Sequence, residues 1–371
     1  MIAKSLILFL LLIIVPDIYL WYRYLRKKPL WQQGLWFLLT IAFVTATIIL
    51  SLEEDFVPDD MTWLNIYLLL TGLITAPKVV FSLCSLFGKR GLQTSFVLIP
   101  LLVIAVLWGS FIGNSYIEVK RVDLSFSDLP EAFDGYRIVH FSDAHVPSLS
   151  AALMQELVDS INAQNPDVIA FTGDLKNKRT SEVKSCMPIL SKLKAKDGIY
   201  SVMGNHDYSM YFQGSEEELF YDEHYMREYQ EEMKWRLLDN FHETITRDSS
   251  SIIIAGMEND GEGRFPQLGN INRALSGLDR QSFVVMLEHD PSAWRRKILP
   301  ECHAQLTLSG HTHGMQFEIF GWSPMSIVQP ECDGVYNVGS RHLVVTEGVG
   351  GVVPFRLGCP PEIVVITLHH K

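Results

Sequence analysis

Four apolar stretches, each almost free of charge, fill the first third of this 371-residue chain and limit what it can become. They run from about Ser5–Tyr22, Leu30–Leu52, Trp63–Leu86 and Thr94–Ile112. Each is near the ~20 residues that an α-helix needs to cross a bilayer core. One such run would also suit a buried core helix, but four in series read as transmembrane helices. A cleaved signal peptide does not account for the first run, which lacks a small-residue cleavage site and is followed by further spans.

Basic residues favour the cytoplasmic side and so set the orientation. Arg23, Arg26, Lys27 and Lys28 follow the first span, and Lys89 and Arg90 follow the third. The loop between spans two and three holds Glu53, Glu54, Asp55, Asp59 and Asp60 without a basic residue. The reading is a multi-pass protein of the cell membrane with both termini outside and an extracytoplasmic C-terminal portion. Lys120 and Arg121, just past span four, pull against it. Two charges fall inside the spans, Asp17 after Pro16 and Lys78 after Pro77. The first expectation is that each snorkels separately to the interface. The alternative is that they pair between helices, since a lone charge in a bilayer is costly.

Near residue 115 the text changes, and two domains are expected, 1–114 and 115–371. Beyond that point Asp, Glu, His and Gly become frequent. Short apolar runs at Tyr136–Phe141, Val168–Phe171, Ile199–Met203, Ile252–Ala255, Phe283–Leu287 and Leu306–Leu308 read as buried strands. Ala151–Ala163, Glu182–Lys194 and Ser292–Leu299 read as intervening helices. This is the rhythm of an α/β sheet protein. The formal net charge of -11 argues against nucleic acid as a partner. The five cysteines, Cys84, Cys186, Cys302, Cys332 and Cys359, show no C-x-x-C spacing, so neither a disulfide framework nor a zinc knuckle is expected.

Polar clusters follow the strands closely. Asp143 and His145 come after the first, and Gly173 and Asp174 after the second. Gly204, Asn205, His206 and Asp207 follow the third. His289 and Asp290 follow the strand at Phe283, and Gly310, His311 and His313 the strand at Leu306. Ligands bind at the C-terminal strand ends of α/β sheets, so these residues should converge on one edge. A D-x-H triplet alone arises by chance in roughly one chain in a few, and G-N-H-D in about one in a thousand. Carboxylate, imidazole and amide oxygen suit Mn, Fe or Zn. Two cations need a shared ligand, and a carboxylate has two oxygens with which to bridge. Lone histidines such as His242, His303 and His342 are expected to be structural or exposed and not ligands. Tyr208–Glu232 reads as a solvated helix with one packed face, or else as a lid beside His206.

Together D-A-H, G-D, G-N-H-D, E-H-D and G-H-T-H resemble the five-block signature of calcineurin-like metallophosphoesterases, over about Val122 to the C-terminus. The tail Gly348–Gly351, Pro354-Phe355-Arg356 and Pro360-Pro361-Glu362-Ile363 resembles a bacterial branch of membrane-associated phosphodiesterases. The resemblance implies a two-sheet α/β sandwich, here preceded by an all-α bundle of four transmembrane helices. It implies two divalent metal ions: Asp143, His145 and His313 around the first, Asn205, His289 and His311 around the second, and Asp174 bridging. His206 would act as acid or transition-state stabiliser beside the phosphate, and Asp207 as its orienting carboxylate. The implied reaction is phosphodiester hydrolysis by a metal-bridging hydroxide, on a substrate expected to be lipid-linked and met at the membrane. The alternatives are a phosphomonoesterase and a catalytically silent membrane sensor or transport component. Val146-Pro147-Ser148, Leu175-Lys176-Asn177 and Met315 depart from the usual signature at the mouth of the site.

Overall fold

The computed structural model describes residues 2–53, 55, 57–58 and 60–371; Glu54 and Asp59 of the acidic loop lie outside the described residues. The chain forms two compact units, Met1–Ile112 and Gly113–Lys371.

In the first unit four helices, Leu6–Leu25, Leu30–Ser51, Thr62–Ser85 and Gly88–Phe111, are long and apolar enough to cross a membrane. Their outward faces carry exposed large apolar residues such as Ile7, Leu35, Ile41, Phe96 and Leu101. Proline lacks an N–H and cannot complete the helical ladder. The third helix therefore passes through a π-helical turn at Thr71–Thr75 just before Pro77. The two intramembrane charges do not snorkel apart. Lys78 Nζ lies 2.8 Å from Asp17 Oδ1, Thr40 Oγ1 donates to Asp17 Oδ2 at 2.5 Å, and Lys78 sits over the Trp36 ring. Pairing prevails because partners lie within reach, so neither charge has to travel to water.

The second unit contains two six-stranded sheets. Its strands are β1 (Glu118–Phe126), β2 (Tyr136–Phe141), β3 (Val168–Phe171), β4 (Gly198–Ser201), β5 (Arg236–Leu237) and β6 (Phe241–Arg247). They continue as β7 (Ser250–Gly256), β8 (Phe283–Leu287), β9 (Leu306–Ser309), β10 (Gly334–Val338), β11 (Arg341–Val345) and β12 (Glu362–His370). One sheet runs β1-β12-β2-β3-β4-β5 and the other β10-β11-β9-β8-β7-β6. Both are mixed, with parallel centres. In the first, β12 is antiparallel to β2; in the second, β10 and β6 are antiparallel to their neighbours.

Side chains alternate across each strand, and here both faces are buried. Ile138, Ala170 and Tyr200 from one sheet meet Ile254, Val285, Leu308 and Val344 from the other in the central core. Val139, Phe141, Ile169 and Phe171 point the other way, against the helix Ala151–Ala163 with its buried Leu157, Val158 and Ile161. Trp294, Ile298 and Ile271 cover the outer face of the second sheet. The result is a helix–sheet–sheet–helix sandwich. Ile138 is fully buried at its centre, so Ile138→Ala should cost about 2–5 kcal/mol.

Two expected helices are not continuous. Thr180–Ser185 is a 3-10 turn, followed by a short helix at Met187–Leu190. Pro188 cannot donate into a preceding turn, so the run breaks there. The segment Ser292–Leu299 is mostly a π turn, Trp294–Ile298, leading into Leu299–Glu301. The strand expected at Ile199–Met203 ends at Ser201.

Candidate metal centre

The polar clusters lie just past β2, β3 and β4 of one sheet and β8 and β9 of the other. Both sheets therefore contribute to a single edge. The backbone there is strained. Asp143, His145, Asp174, His311 and His313 all adopt positive φ, between 39° and 72°. This conformation is unfavourable for residues with a Cβ and marks functional sites when packing enforces it. Glycines make room beside them. A Cβ at Gly204 would collide with the Asp174 carboxylate, and one at Gly310 with that of Asp143.

Three overlapping groups bring metal-binding atoms within 4.8 Å of one another: Asp143, His145 and His313; His145, Asp174 and His206; and Asp174, His289 and His311. His313 Nε2 lies 3.2 Å from both Asp143 Oδ1 and His145 Nε2. His289 Nε2 lies 3.0 Å from Asn205 Oδ1, 3.1 Å from His311 Nδ1 and 3.3 Å from Asp174 Oδ2. The same Asp174 oxygen lies 3.7 Å from His145 Nε2. Its other oxygen accepts the His206 N–H at 2.8 Å. Asp174 Oδ2 thus stands between His145 and His289, while Oδ1 accepts from the backbone.

Three of the rings, those of His289, His145 and His311, meet a partner on their far side, as metal-binding imidazoles commonly do. His289 Nδ1 donates to the Thr172 carbonyl at 2.7 Å, and His145 Nδ1 to Asn177 Oδ1 at 2.7 Å. His311 Nε2 faces Asp290 Oδ2 at 3.6 Å. Tyr211 Oη accepts from Asn205 Nδ2 at 2.7 Å, which turns the amide oxygen toward His289. The donors fit a pair of divalent cations. Lone pairs from carboxylate, imidazole and amide converge here, and Asp143 Oδ1 is a buried acceptor that receives no hydrogen bond. Burial lowers the pKa of His289, but the Asp174 charge beside it prevails and raises it to about 10. Burial also pushes the Asp143 and Asp174 carboxyls up, yet the surrounding imidazoles hold both below the usual range. The two buried carboxylates make this a place that favours positive charge.

His206 sits beside the centre. Its ring stacks on Tyr211 at 4.0 Å, and its Nδ1 donates to the Asn177 carbonyl at 2.6 Å. Asp207, expected to orient that ring, has its oxygens taken by backbone amides. Oδ2 accepts from Gly204 and Asp174 at 2.9 and 2.8 Å, and Oδ1 from Leu175 at 3.0 Å. It fixes the loop that carries Asp174, and burial with the neighbouring Asp174 charge raises its pKa to about 6. Thr172 carries no signal in the sequence, and Asn177 and Tyr211 show there only as part of a departure from the signature and of the Tyr208–Glu232 segment, because their roles depend on loops folding back onto the strand ends. His242 Nδ1 donates to the Ala274 carbonyl at 2.7 Å, and His342 packs on Phe126. The helix Glu216–Glu232 buries Met226 and Gln230 and presents its acidic side to solvent.

A family model for calcineurin-like phosphoesterase matches residues 136–315. A Danio rerio protein named transmembrane protein with metallophosphoesterase domain is 31% identical over 287 residues, 74% of this chain and 62% of its own length. The chain thus spans less than two thirds of that relative. The Bacillus subtilis metallophosphoesterase YkuE is 31% identical over 273 residues, 70% of this chain and 88% of the relative. A Campylobacter jejuni metallophosphoesterase is 26% identical over 384 residues, 98% of this chain and 97% of its own.

The chain belongs to the calcineurin-like metallophosphoesterase family, whose members act on phosphate esters and generally bind two divalent metal ions. Its four long apolar helices make it a membrane protein.

Proposed function

We propose that this chain is a membrane-embedded phosphodiesterase, with a four-span region at residues 1–114 and a catalytic domain at 115–371. In this reading Asp143, His145 and His313 would hold one cation, Asn205, His289 and His311 the other, and Asp174 would serve both. The observation that carries the proposal is the position of Asp174 Oδ2, between His145 on one side and His289 on the other. When bound, two divalent cations of the Mn, Fe or Zn type lower the pKa of a water and draw charge from phosphoryl oxygens. His206, with Nδ1 committed to Asn177, presents Nε2 to the leaving oxygen as acid or hydrogen-bond donor. Asn177 and Tyr211 hold that ring, and Asp207 positions the Asp174 loop.

The substrate proposed is a lipid-linked phosphodiester met on the extracytoplasmic side, as the distribution of basic loops supports. Only residues 112–117 separate the helix ending at Phe111 from β1. Fully extended, they reach roughly 25 Å. The catalytic domain is therefore tethered close to the bilayer, where phosphodiesters abound. Nucleic acid is disfavoured by the net charge of -11. The test uses full-length protein in mixed micelles with Mn²⁺. Bis-p-nitrophenyl phosphate should be cleaved faster than p-nitrophenyl phosphate, and a diacyl phosphodiester faster than a soluble cyclic nucleotide. Preference for the monoester would replace the diester reading with a phosphomonoesterase. A cysteine at Ser250 should react with an impermeant thiol reagent on intact cells, while one at Gln33 should not; the reverse would place the domain in the cytoplasm.

A further inference from the structure

The segment after the G-H-T-H block does something unusual with apolar side chains. From His313 the chain runs through further positive-φ residues, Met315 and Gln316, and then leaves the sandwich as a loop. Its base is fixed. Gln316 Nε2 donates to the Val353 and Phe355 carbonyls at 2.8 and 2.9 Å, and Glu318 N–H to the Leu357 carbonyl at 2.7 Å. Its tip is a two-residue turn closed by reciprocal hydrogen bonds between Ile319 and Trp322, at 3.0 and 3.1 Å. Phe320 occupies that turn at φ 52° and is fully exposed. Left-handed backbone is unfavourable for a bulky residue, and burial within the chain does not offset it here. Trp322, Ile327 and Val328 are exposed around it, Ile327 by 76%. Single exposed apolar residues are ordinary, but a cluster at a strained tip marks a contact surface.

The place of this loop in its own unit indicates what it meets. Its base pairs with residues 353–357, and Asn114 Nδ2 donates to the Pro354 carbonyl at 2.9 Å. Asn114, Gln316 and Pro354 line one small pocket. Asn114 stands three residues after Phe111, the last residue of the fourth apolar helix. Covalent connection keeps it within roughly 11 Å of that helix end. The apolar loop thus springs from the same corner of its own unit as Asn114, close in sequence to the fourth apolar helix. Glu318 and Glu331 flank it, so attraction to anionic headgroups is not the driving force, whereas Trp and Phe suit the apolar boundary of a bilayer.

We infer that the loop Ile319–Val328 is a bilayer-inserting element, which seats Phe320, Trp322, Ile327 and Val328 in the leaflet crossed by the chain's own spans. It rests on the reading of those spans as transmembrane, and it deepens the lipid-substrate reading, because the loop leaves the site within seven residues of His313. Insertion does not require that the substrate be a lipid, so the two readings fail separately.

The experiment places an environment-sensitive fluorophore on Phe320→Cys in the full-length protein, reconstituted into phosphatidylcholine vesicles. A probe on Ser249→Cys, in the turn between β6 and β7, is the control. Wild-type protein, labelled in parallel, supplies the background from its five cysteines. Phe320 lies outside the metal centre, so turnover of a soluble diester by Phe320→Cys should match the wild type and report correct folding. Nitroxide groups on the lipid acyl chains should quench the Phe320→Cys probe by about half or more, as expected for a side chain seated at the acyl boundary. The Ser249→Cys probe should be unaffected. Equal insensitivity of both probes would overturn the inference. So would shielding of the first probe that depends on protein density and not on the lipid quencher, because the occupant would then be a second copy.

Discussion

Asp17 in the membrane unit and Asp174 in the catalytic unit are each about 1% exposed, yet their surroundings differ in kind. A lysine ammonium lies 2.8 Å from Asp17, and a threonine hydroxyl occupies its other oxygen. That carboxylate is matched one to one. Asp174 faces two imidazoles across a single oxygen, with one further carboxylate, Asp143, close enough to act on His289. Rings of this type are good ligands and poor permanent counter-charges. Burial is the same in both cases; the chemistry of the counter-charge separates a structural pair from a reactive centre.

Removing the charge of each acid tests that contrast. Asp174→Asn keeps the shape but should lower turnover of bis-p-nitrophenyl phosphate about a thousandfold or more, since the charge stabilisation from bound metals is worth several kcal/mol. Near-normal turnover would place the shared oxygen elsewhere. Asp17→Asn should act on assembly instead. It leaves Lys78 without its partner, a loss of about 3–5 kcal/mol for a buried pair, while turnover per folded molecule holds. Folded yield after detergent extraction is the measurement. The swap Asp17→Lys with Lys78→Asp should recover part of that yield, and no recovery would count against a specific pair.

Within the catalytic unit, His206→Ala should reduce turnover about a hundredfold or more, with metal content unchanged. Full activity on a substrate with a poor leaving group would remove His206 from the proton-transfer step. A smaller effect is expected from Asn177→Ala, which strips the acceptor from His145 Nδ1. Metal affinity should weaken about 10–100-fold, read by competition with a chelator.

The strands that deliver the site were legible because their signal is local. Val168–Phe171 and Phe283–Leu287 are short apolar runs buried on both faces, and they appear with the expected bounds. The edge and return strands were not. β6 buries only Ile245 through Phe241–Arg247, and β12, though apolar, is separated from its partner β2 by more than two hundred residues. Pairing at such range leaves no mark in a local pattern. The strand-end histidines and carboxylates could be read from type and spacing. What orients them could not: Asn177 reaches His145 only because β2 and β3 lie side by side. The resemblance gives Asp207 the part of orienting His206; in the structure the loop turns its oxygens onto the amides of Gly204, Asp174 and Leu175, a use that only the folded loop reveals.

The central claim is a two-cation centre joined through one oxygen of Asp174, and the most direct test is metal content. Full-length protein purified with Mn²⁺ and freed of loose ions should carry two metal ions per chain by elemental mass spectrometry. His289→Ala should retain about one, and Asp174→Asn should retain fewer than either, because its oxygen serves both positions. Two ions per chain in Asp174→Asn, or a single ion in the wild type, would contradict the account.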